Sequence, residues 1–481
     1  MRVDMGGQQP KEAASRQITG DTQFMFQFYK PCFQFYEPNH MAAISMSEQK
    51  LQRSLVAALQ GSPLLFGRFK IHGDQSITLD YDPADSNNPT IEFQSVSSIS
   101  YADLARQGFA YSLAKEHGLD MPIPNGTITM SFDLPMLMVK VSYLSDGGVA
   151  FFGMTNHVAF DGNAMFSFIA HWAKCNRRMA HQLFQPIELP LDLQPHAALS
   201  LENSDTEVAE DGGPVEISVD ATRTPAEITT AISRVVKPQD ICACVFSISV
   251  DNLARLKQEV VESSVLGEGE WISSNNALAA FVAQRVAWAN TEGQCYEIGP
   301  WTIFQSLDMR RPLNLPLRGL GSPVILAECQ ATHSELVDRG TFPLLSKRVR
   351  RCIDRYTGDY LRNAVAWVNA SYKRLGQNGV HEPWRHFWFT ALNTNSRAVG
   401  ISCMNRIPIY DADFGAGRPR MARSFNPRPN YVIVFPGPPI RADASLEYGV
   451  LHLYVTLERL AMDVLQADPE WTRMCTLVSE F

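Results

Sequence analysis

The segment TNHVAFDGNAMFSFIAHW, residues 155–172, constrains the fold most, because it joins a strand-like run to an amphipathic one. The preceding residues GVAFFGMTN are apolar and aromatic, which favours a buried strand. Apolar residues then recur at helical spacing, so a helix is predicted to begin at about Asp161, which is placed to accept backbone N–H groups. His157 is expected at the end of the strand, and Gly162 keeps the turn free of side-chain bulk.

An isolated HxxxDG has two interpretations. The structural one is a capping aspartate beside a buried neutral histidine. The chemical one is a general base, since the ordinary histidine pKa of about 6.5 suits proton transfer near neutral pH. A second motif bears on the choice: IPIYDADFGAGRP, residues 407–419, places Asp413, Gly415 and Gly417 around an aromatic residue. By itself this motif predicts a loop in which glycines let the backbone turn tightly.

Composition excludes several protein classes. The chain has 481 residues, 45% of them hydrophobic and 19% charged, which is typical of a soluble globular protein of two or three domains or one two-lobed unit. A net charge of −8 disfavours nucleic acid as a partner. The apolar runs are too short to span a membrane, and residues 1–20 lack the apolar core of a signal peptide. Nine scattered cysteines, with no CxxC, favour a reducing compartment, so we expect a cytoplasmic protein.

Both halves of the chain mix strand and helix patterns. SEQKLQRSLVAALQ has helical periodicity, SITLDY and TIEFQSV are strand-like, and PMLMVKVSYL and GGVAFFGMTNH flank the hairpin turn SDGG. The tail predicts a strand, VLHLYVTL, and then a helix, ERLAMDVLQADPEW. We therefore predict a mixed α/β fold with a first lobe at 1–195, an acidic crossover linker at 196–240 and a second lobe at 241–481.

HxxxDG in the first half and DFGxG late in the second half together resemble the BAHD acyltransferase superfamily. The resemblance covers nearly the whole chain, because LQRSLVAALQGSPLLFGRF, SLDMRRPLNLPLRGLGSPV and YGVLHLYVTLERLAMDVLQADPEW are also similar to family segments. The DADFG form and the acidic crossover resemble fungal members. This resemblance implies a monomer with two lobes of chloramphenicol-acetyltransferase-like topology. A channel between the lobes would admit acyl-CoA from one face and a small acceptor from the other.

The resemblance also implies roles for particular residues. His157 matches the catalytic base, and Asp161 matches the motif aspartate that points away from substrate and pairs with the arginine of D-x-R, here Arg310. A buried carboxylate needs such a partner on physical grounds too. Asp413, with Gly415 and Gly417, matches a structural motif that lies away from the active site.

Further serines match positions near the two substrates. Ser402 matches a family serine or threonine near the substrate carbonyl and is expected to donate to the oxyanion. Ser273 and Ser274 match a region that contacts the CoA arm, with helix capping as the alternative. Gly321-Ser322 stands where the family usually has Gly-Asn.

The predicted reaction is transfer of an acyl group, most simply acetyl, from acyl-CoA to a hydroxyl of a secondary metabolite. The base would act in a ternary complex, with no acyl-enzyme and no metal, since the sequence has neither GxSxG nor HExxH. Alternatives are a carrier-protein donor, an amine acceptor, or a non-catalytic relative that binds a small molecule. Condensation domains usually carry a second histidine before the motif, and Asn156 holds that position here.

Overall fold

A computed structural model describes residues 14–17, 29–60, 63–72, 77–84, 88–121, 135–157, 160–180, 217–219, 241–293, 299–317, 320–380, 387–389, 397–424, 428–439 and 449–480. Most of the predicted crossover at 196–240 lies outside them, and the division of the chain at 195 and 241 stays a prediction.

The first large sheet has the strand order β14-β2-β7-β6-β5. Strands β5 and β6 are parallel, and the other neighbours are antiparallel. The hairpin predicted across SDGG is confirmed, because β6 and β7 pair in antiparallel register on either side of it. The bounds are β2 Tyr29–Tyr36, β5 Thr90–Val96, β6 Leu137–Leu144, β7 Val149–Asn156 and β14 Met421–Ser424.

Helices and a small sheet accompany the first sheet. Helix α2 packs against α5, where the Trp172 indole N–H donates to Ser54 Oγ at 2.9 Å. A three-stranded sheet has the order β1-β4-β3, and β12 pairs with β8. The helix bounds are α1 His40–Ser45, α2 Glu48–Leu59, α3 Tyr101–Arg106, α4 Tyr111–Glu116 and α5 Gly162–Ala180, and the short strands are β1 Ala14–Gln17, β3 Arg68–Ile71, β4 Ile77–Tyr81, β8 Ile217–Val219 and β12 Phe387–Phe389.

The second large sheet has seven strands in the order β11-β10-β13-β15-β16-β9-β17. Strand β13 runs parallel to both of its neighbours, and the remaining pairs are antiparallel. The bounds are β9 Ile241–Ser249, β10 Trp301–Asp308, β11 Val324–Ala331, β13 Ala398–Cys403, β15 Tyr431–Pro436, β16 Val450–Glu458 and β17 Cys475–Glu480.

The two faces of this second sheet have different partners. One face, with Val399 and Leu453, packs in a core with helix α7. The opposite face carries Phe304 and Tyr454, which belong to the core that also contains residues of the first sheet. The helices are α6 Val250–Glu262, α7 Ser274–Glu292, α8 His333–Val337, α9 Phe342–Asp354, α10 Gly358–Gln377, α11 Arg459–Ala467 and α12 Pro469–Met474. Apolar side chains of the second sheet therefore pack in the same core as side chains of the first sheet.

The predicted single helix at the C-terminal end is wrong. Helix α11 ends at Ala467, and Asp468 takes an extended conformation from which its side chain accepts from the backbone N–H of Glu470. Pro469 then begins α12, because proline cannot continue a helix but fits its first turn.

The predicted mixed α/β class is confirmed by the two sheets and their helices. The two halves of the chain are interwoven, since residues after β13 leave the second sheet, add β14 to the first and return as β15. None of the helices in the described ranges is both long and apolar enough to cross a bilayer.

Candidate active site

The turn between β7 and α5 has the geometry that the sequence predicts. His157 directly follows β7, and α5 begins at Gly162. Asp161 Oδ1 accepts a hydrogen bond from the backbone N–H of Ala164 at 2.8 Å, and the Asp161 carbonyl accepts from Met165 at 3.0 Å. Asp161 therefore caps the helix from a buried position and fixes where the chain turns after His157.

Arg310 makes a buried ion pair with Asp161, the partner that the family resemblance implies. The Arg310 side chain is fully buried, and it also contacts Asp308 Oδ1 at 3.1 Å and donates to the Gly321 carbonyl at 3.2 Å. Burial acts to lower the pKa of Arg310, but Asp161 and Asp308 outweigh it and raise that pKa above its ordinary value. One arginine therefore ties the helix cap to the segment around residue 321.

Gly321 closes the other side of the turn. Phe160 and Gly321 form an isolated parallel bridge, and the Asp161 N–H donates to the Gly321 carbonyl at 3.1 Å. Gly321 has a φ of +109°, a backbone region that favours glycine. The next residue, Ser322, is thereby brought to the turn that carries His157.

Ser322 touches the candidate base directly. Its Oγ lies 3.0 Å from His157 Nδ1, and the serine is fully buried. A base needs an unprotonated nitrogen, so catalysis at Nε2 requires the tautomer in which Nδ1–H donates to Ser322 Oγ. In the sequence, Ser322 stands out only as a departure from Gly-Asn. Its place beside Gly321 in the segment that follows Arg310 was the available signal.

Ser402 lies on β13, on the face of the second sheet that carries Tyr431 and Ile433. It is buried and interacts with the Tyr431 hydroxyl, which is also 3.4 Å from Ser306 Oγ. Burial raises the pKa of Tyr431, although hydrogen bonds with Ser306 and Ser402 oppose the shift. Tyr431 therefore stays a neutral hydroxyl that can donate within this group of three side chains.

Ser273 is the N-cap of α7, the alternative that the sequence left open. Its Oγ accepts from the Asn276 N–H at 3.1 Å and donates to Asn276 Oδ1 at 2.6 Å, which completes a capping box. Ser274 is the first residue of the helix, and Asn275 meets Asn405 at 3.1 Å. The start of α7 thus contacts the segment after β13, and contact of Ser273 and Ser274 with CoA stays a prediction.

The DFGxG segment has an internal polar frame. Asp413 Oδ1 accepts from the backbone N–H groups of Gly415 at 2.7 Å and Gly417 at 3.0 Å. Gly415 has a φ of +98°, and a Cβ added there would lie 3.0 Å from Ser45 Oγ. Both the backbone conformation and the nearby Ser45 therefore disfavour a side chain at this position.

The same segment docks on α5. The Phe414 ring packs edge-on against Trp172 with ring centroids 5.1 Å apart. Asn176 Nδ2 donates to the Phe414 carbonyl at 2.6 Å, and Arg177 donates to the Asp413 carbonyl. These contacts lie more than two helical turns beyond Asp161 along α5, so the motif fixes the helix whose first turn holds the His157 loop.

A family model described as "Transferase family" matches residues 19–472. The chain belongs to the Transferase family. The predicted BAHD resemblance is confirmed by this match and by the relatives below.

Among curated proteins, this family member is similar to O-acyltransferase pigD of Monascus ruber, with 25% identity over 50% of this chain and 49% of that protein. The chain thus spans about half the length of that relative. Among solved structures, F. graminearum TRI101 complexed with coenzyme A and deoxynivalenol matches with a TM-score of 0.71 at 15% identity, covering 97% of this chain and 100% of that one.

The first condensation domain of the CDA synthetase also matches, with a TM-score of 0.54 at 12% identity, covering 95% of this chain and 97% of that one. At these identities the matches establish the fold alone. They confirm for this Transferase family member the fold that the motifs predicted.

Proposed function

We propose that this protein is a CoA-dependent acyltransferase that transfers an acetyl group from acetyl-CoA to a hydroxyl of a small secondary metabolite. The observation that carries the proposal is the contact between His157 Nδ1 and Ser322 Oγ, on a turn fixed by the Asp161–Arg310 pair. Support comes from the relative named an O-acyltransferase and from the solved TRI101 complex with coenzyme A and a toxin. Monomeric state, cytoplasmic location and independence from metals are parts of the same proposal.

His157 is the proposed general base. The acceptor hydroxyl oxygen attacks the thioester carbonyl carbon, and His157 Nε2 takes the hydroxyl proton as the new C–O bond forms. The C–S bond then breaks, and the imidazolium returns the proton to the departing CoA thiolate. Both substrates are held together, so proximity replaces a covalent enzyme intermediate. A positioned base of this kind contributes about 10²–10⁴-fold.

The other predicted site residues would stabilise negative charge on the substrates. Ser402 is the proposed donor to the oxyanion, and the neighbouring Tyr431 hydroxyl holds its orientation. Ser273 and Ser274 are proposed to lie along the CoA arm at the start of α7, where backbone N–H groups favour negative charge. Because the Ser273 hydroxyl is engaged in the capping box, backbone groups and Ser274 would make that contact.

A carrier-protein thioester is the second candidate donor, favoured by the fold match to a condensation domain. The sequence argues against this donor, because Asn156 occupies the position where condensation domains usually carry an additional histidine. An amine acceptor would need the same base and stays open within either reading.

The experiment uses acetyl-CoA without an acceptor. We would measure binding by calorimetry and slow thioester hydrolysis for wild type, His157→Ala and the matched control His40→Ala, whose histidine is exposed at the start of α1. Binding by all three, with hydrolysis lost only in His157→Ala, supports the proposal. Absence of binding at millimolar acetyl-CoA favours a carrier-protein donor, and full hydrolysis by His157→Ala contradicts the base assignment.

A further inference from the structure

Two cysteines lie where a helix crosses the outer edge of the second sheet. Cys329 is on β11 and Cys352 is on α9, the helix that packs on this strand. Cys329 is buried, whereas Cys352 is half-buried and packs against the same apolar core. Both are free thiols. The pair therefore combines one partly exposed cysteine with one buried cysteine.

Two arginines hold the helix over this strand. Arg348 Nη1 donates to the Gln330 carbonyl at 3.3 Å, and Arg355 Nη2 donates to the Glu328 carbonyl at 3.0 Å. These carbonyls lie on either side of Cys329. They are available because β11 is an edge strand, paired only with β10 among the described strands. Arg348, Cys352 and Arg355 share one face of the helix by their spacing, so these two hydrogen bonds place Cys352 over Cys329.

The surroundings of Cys352 favour its thiolate. Interaction with the Cys329 thiol, aided by Arg355 and Arg348, lowers the pKa of Cys352 below its ordinary value. Arg348 also forms an ion pair with Glu335, which partly neutralises the charge of the arginine. A thiolate is the form of cysteine that attacks an oxidant, so this shift makes Cys352 more reactive than an ordinary cysteine at neutral pH.

Two other cysteines in the described ranges have surroundings that favour the protonated thiol. Burial raises the pKa of Cys175 to about 11 and that of Cys244 to about 12. These thiols stay protonated at neutral pH, and they provide internal controls for reactivity.

We propose that Cys329 and Cys352 form a redox-sensitive site that hydrogen peroxide converts to an intramolecular disulfide. The Cys352 thiolate attacks one peroxide oxygen, the O–O bond breaks, and a sulfenic acid and one water form after protonation. The Cys329 thiol then attacks the sulfenic sulfur, its proton leaves with the hydroxyl as a second water, and the S–S bond forms. Two thiols lose two electrons, and one peroxide is reduced to two waters.

The first test treats the full chain with stoichiometric hydrogen peroxide, blocks remaining thiols with N-ethylmaleimide and identifies cross-linked peptides by mass spectrometry. We expect a Cys329–Cys352 link, two thiols lost per chain, and recovery of both with dithiothreitol. Cys352→Ser should abolish the link, and Cys175→Ser should leave it unchanged. A sulfinic acid at Cys352 beside a free Cys329 thiol would overturn the proposal.

The second test needs no substitution and so does not depend on a variant folding. Iodoacetamide is added to the native reduced protein at pH 7, and alkylation of each cysteine is followed with time. We expect Cys352 to react at least about tenfold faster than Cys244, because its surroundings favour the thiolate whereas burial disfavours that of Cys244. Equal rates would contradict the reactive-thiolate argument. Neither test depends on the proposed acyltransferase activity.

Discussion

Removing the cation from the Asp161–Arg310 pair should destabilise the protein more than neutralising the anion. Arg310→Met keeps most of the side-chain bulk but leaves the Asp161 carboxylate, only 6% exposed, without its arginine. Asp161→Asn still offers an oxygen to the Ala164 N–H, and Arg310 keeps Asp308 and the Gly321 carbonyl. The two single substitutions are therefore not equivalent, although they break the same ion pair.

The expected magnitudes follow from burial. Breaking a buried ion pair by removing one partner costs about 3–5 kcal/mol, which we expect for Arg310→Met. Asp161→Asn loses one charge-assisted hydrogen bond and should cost about 1.5–3 kcal/mol. The double variant should recover part of the loss, since no uncompensated buried charge remains at the pair. Arg310→Met should also lower kcat, because Arg310 holds the carbonyl of the residue before Ser322.

Equilibrium urea unfolding, followed by tryptophan fluorescence, measures these free energies of unfolding. Arg362→Met is the control, because Arg362 makes a surface pair with Asp359 and its loss should change stability by less than about 1 kcal/mol. A cost of Arg310→Met no larger than that of the control would refute the reasoning. Equal costs for Asp161→Asn and Arg310→Met would show that Asp308 and Gly321 do not compensate Arg310.

Three further predictions concern single positions. Ser322→Ala should lower kcat about tenfold with little change in KM, because one hydrogen bond to the imidazole, worth about 1.4 kcal/mol, is lost. Steady-state kinetics would test this, with Ser322→Asn as the conservative variant. Gly415→Ala should cost about 1–3 kcal/mol of stability, measured by thermal unfolding, because of its positive φ and the nearby Ser45 Oγ, while kcat per folded molecule stays unchanged. Burial, with a contribution from Arg423, lowers the pKa of His452 to about 3, below its unfolded value of about 6.5. The contribution of neutral His452 to the free energy of unfolding is therefore complete above pH 6.5 and is lost as the pH falls towards 3. His452→Asn should therefore weaken the pH dependence of stability between these values in an acid-unfolding experiment. An unchanged curve would contradict the assignment.

Local elements were predictable from the sequence because they rest on short-range periodicity. TIEFQSV matches Thr90–Val96, and VLHLYVTL matches Val450–Glu458 to within a residue. The position of Asp161 at the start of a helix followed from the change in apolar spacing. The pattern missed the break at Pro469, although proline after an aspartate is a helix-start signal in its own right.

The long-range parts of the site were less accessible. The contact between His157 and Ser322 joins side chains 165 positions apart, and no spacing rule encodes it. The DFGxG segment was predictable as a tight loop, but its docking on α5 depends on Asn176 and Arg177, which look like ordinary polar helix residues in the sequence. The family resemblance identified Arg310 as the partner of Asp161, because it implies pairs of residues that are far apart in the sequence.

The late arrival of β14 has a consequence for how the chain is made. The first sheet lacks the strand that pairs with β2 until residues 421–424 have been synthesised. Until then the edge of β2, with Cys32, Phe33 and Phe35, has unpaired backbone groups beside apolar side chains that the finished protein buries. We therefore expect a chain that ends before β14 to be prone to aggregation through this edge. The first half expressed alone would leave the edge of β2 unpaired.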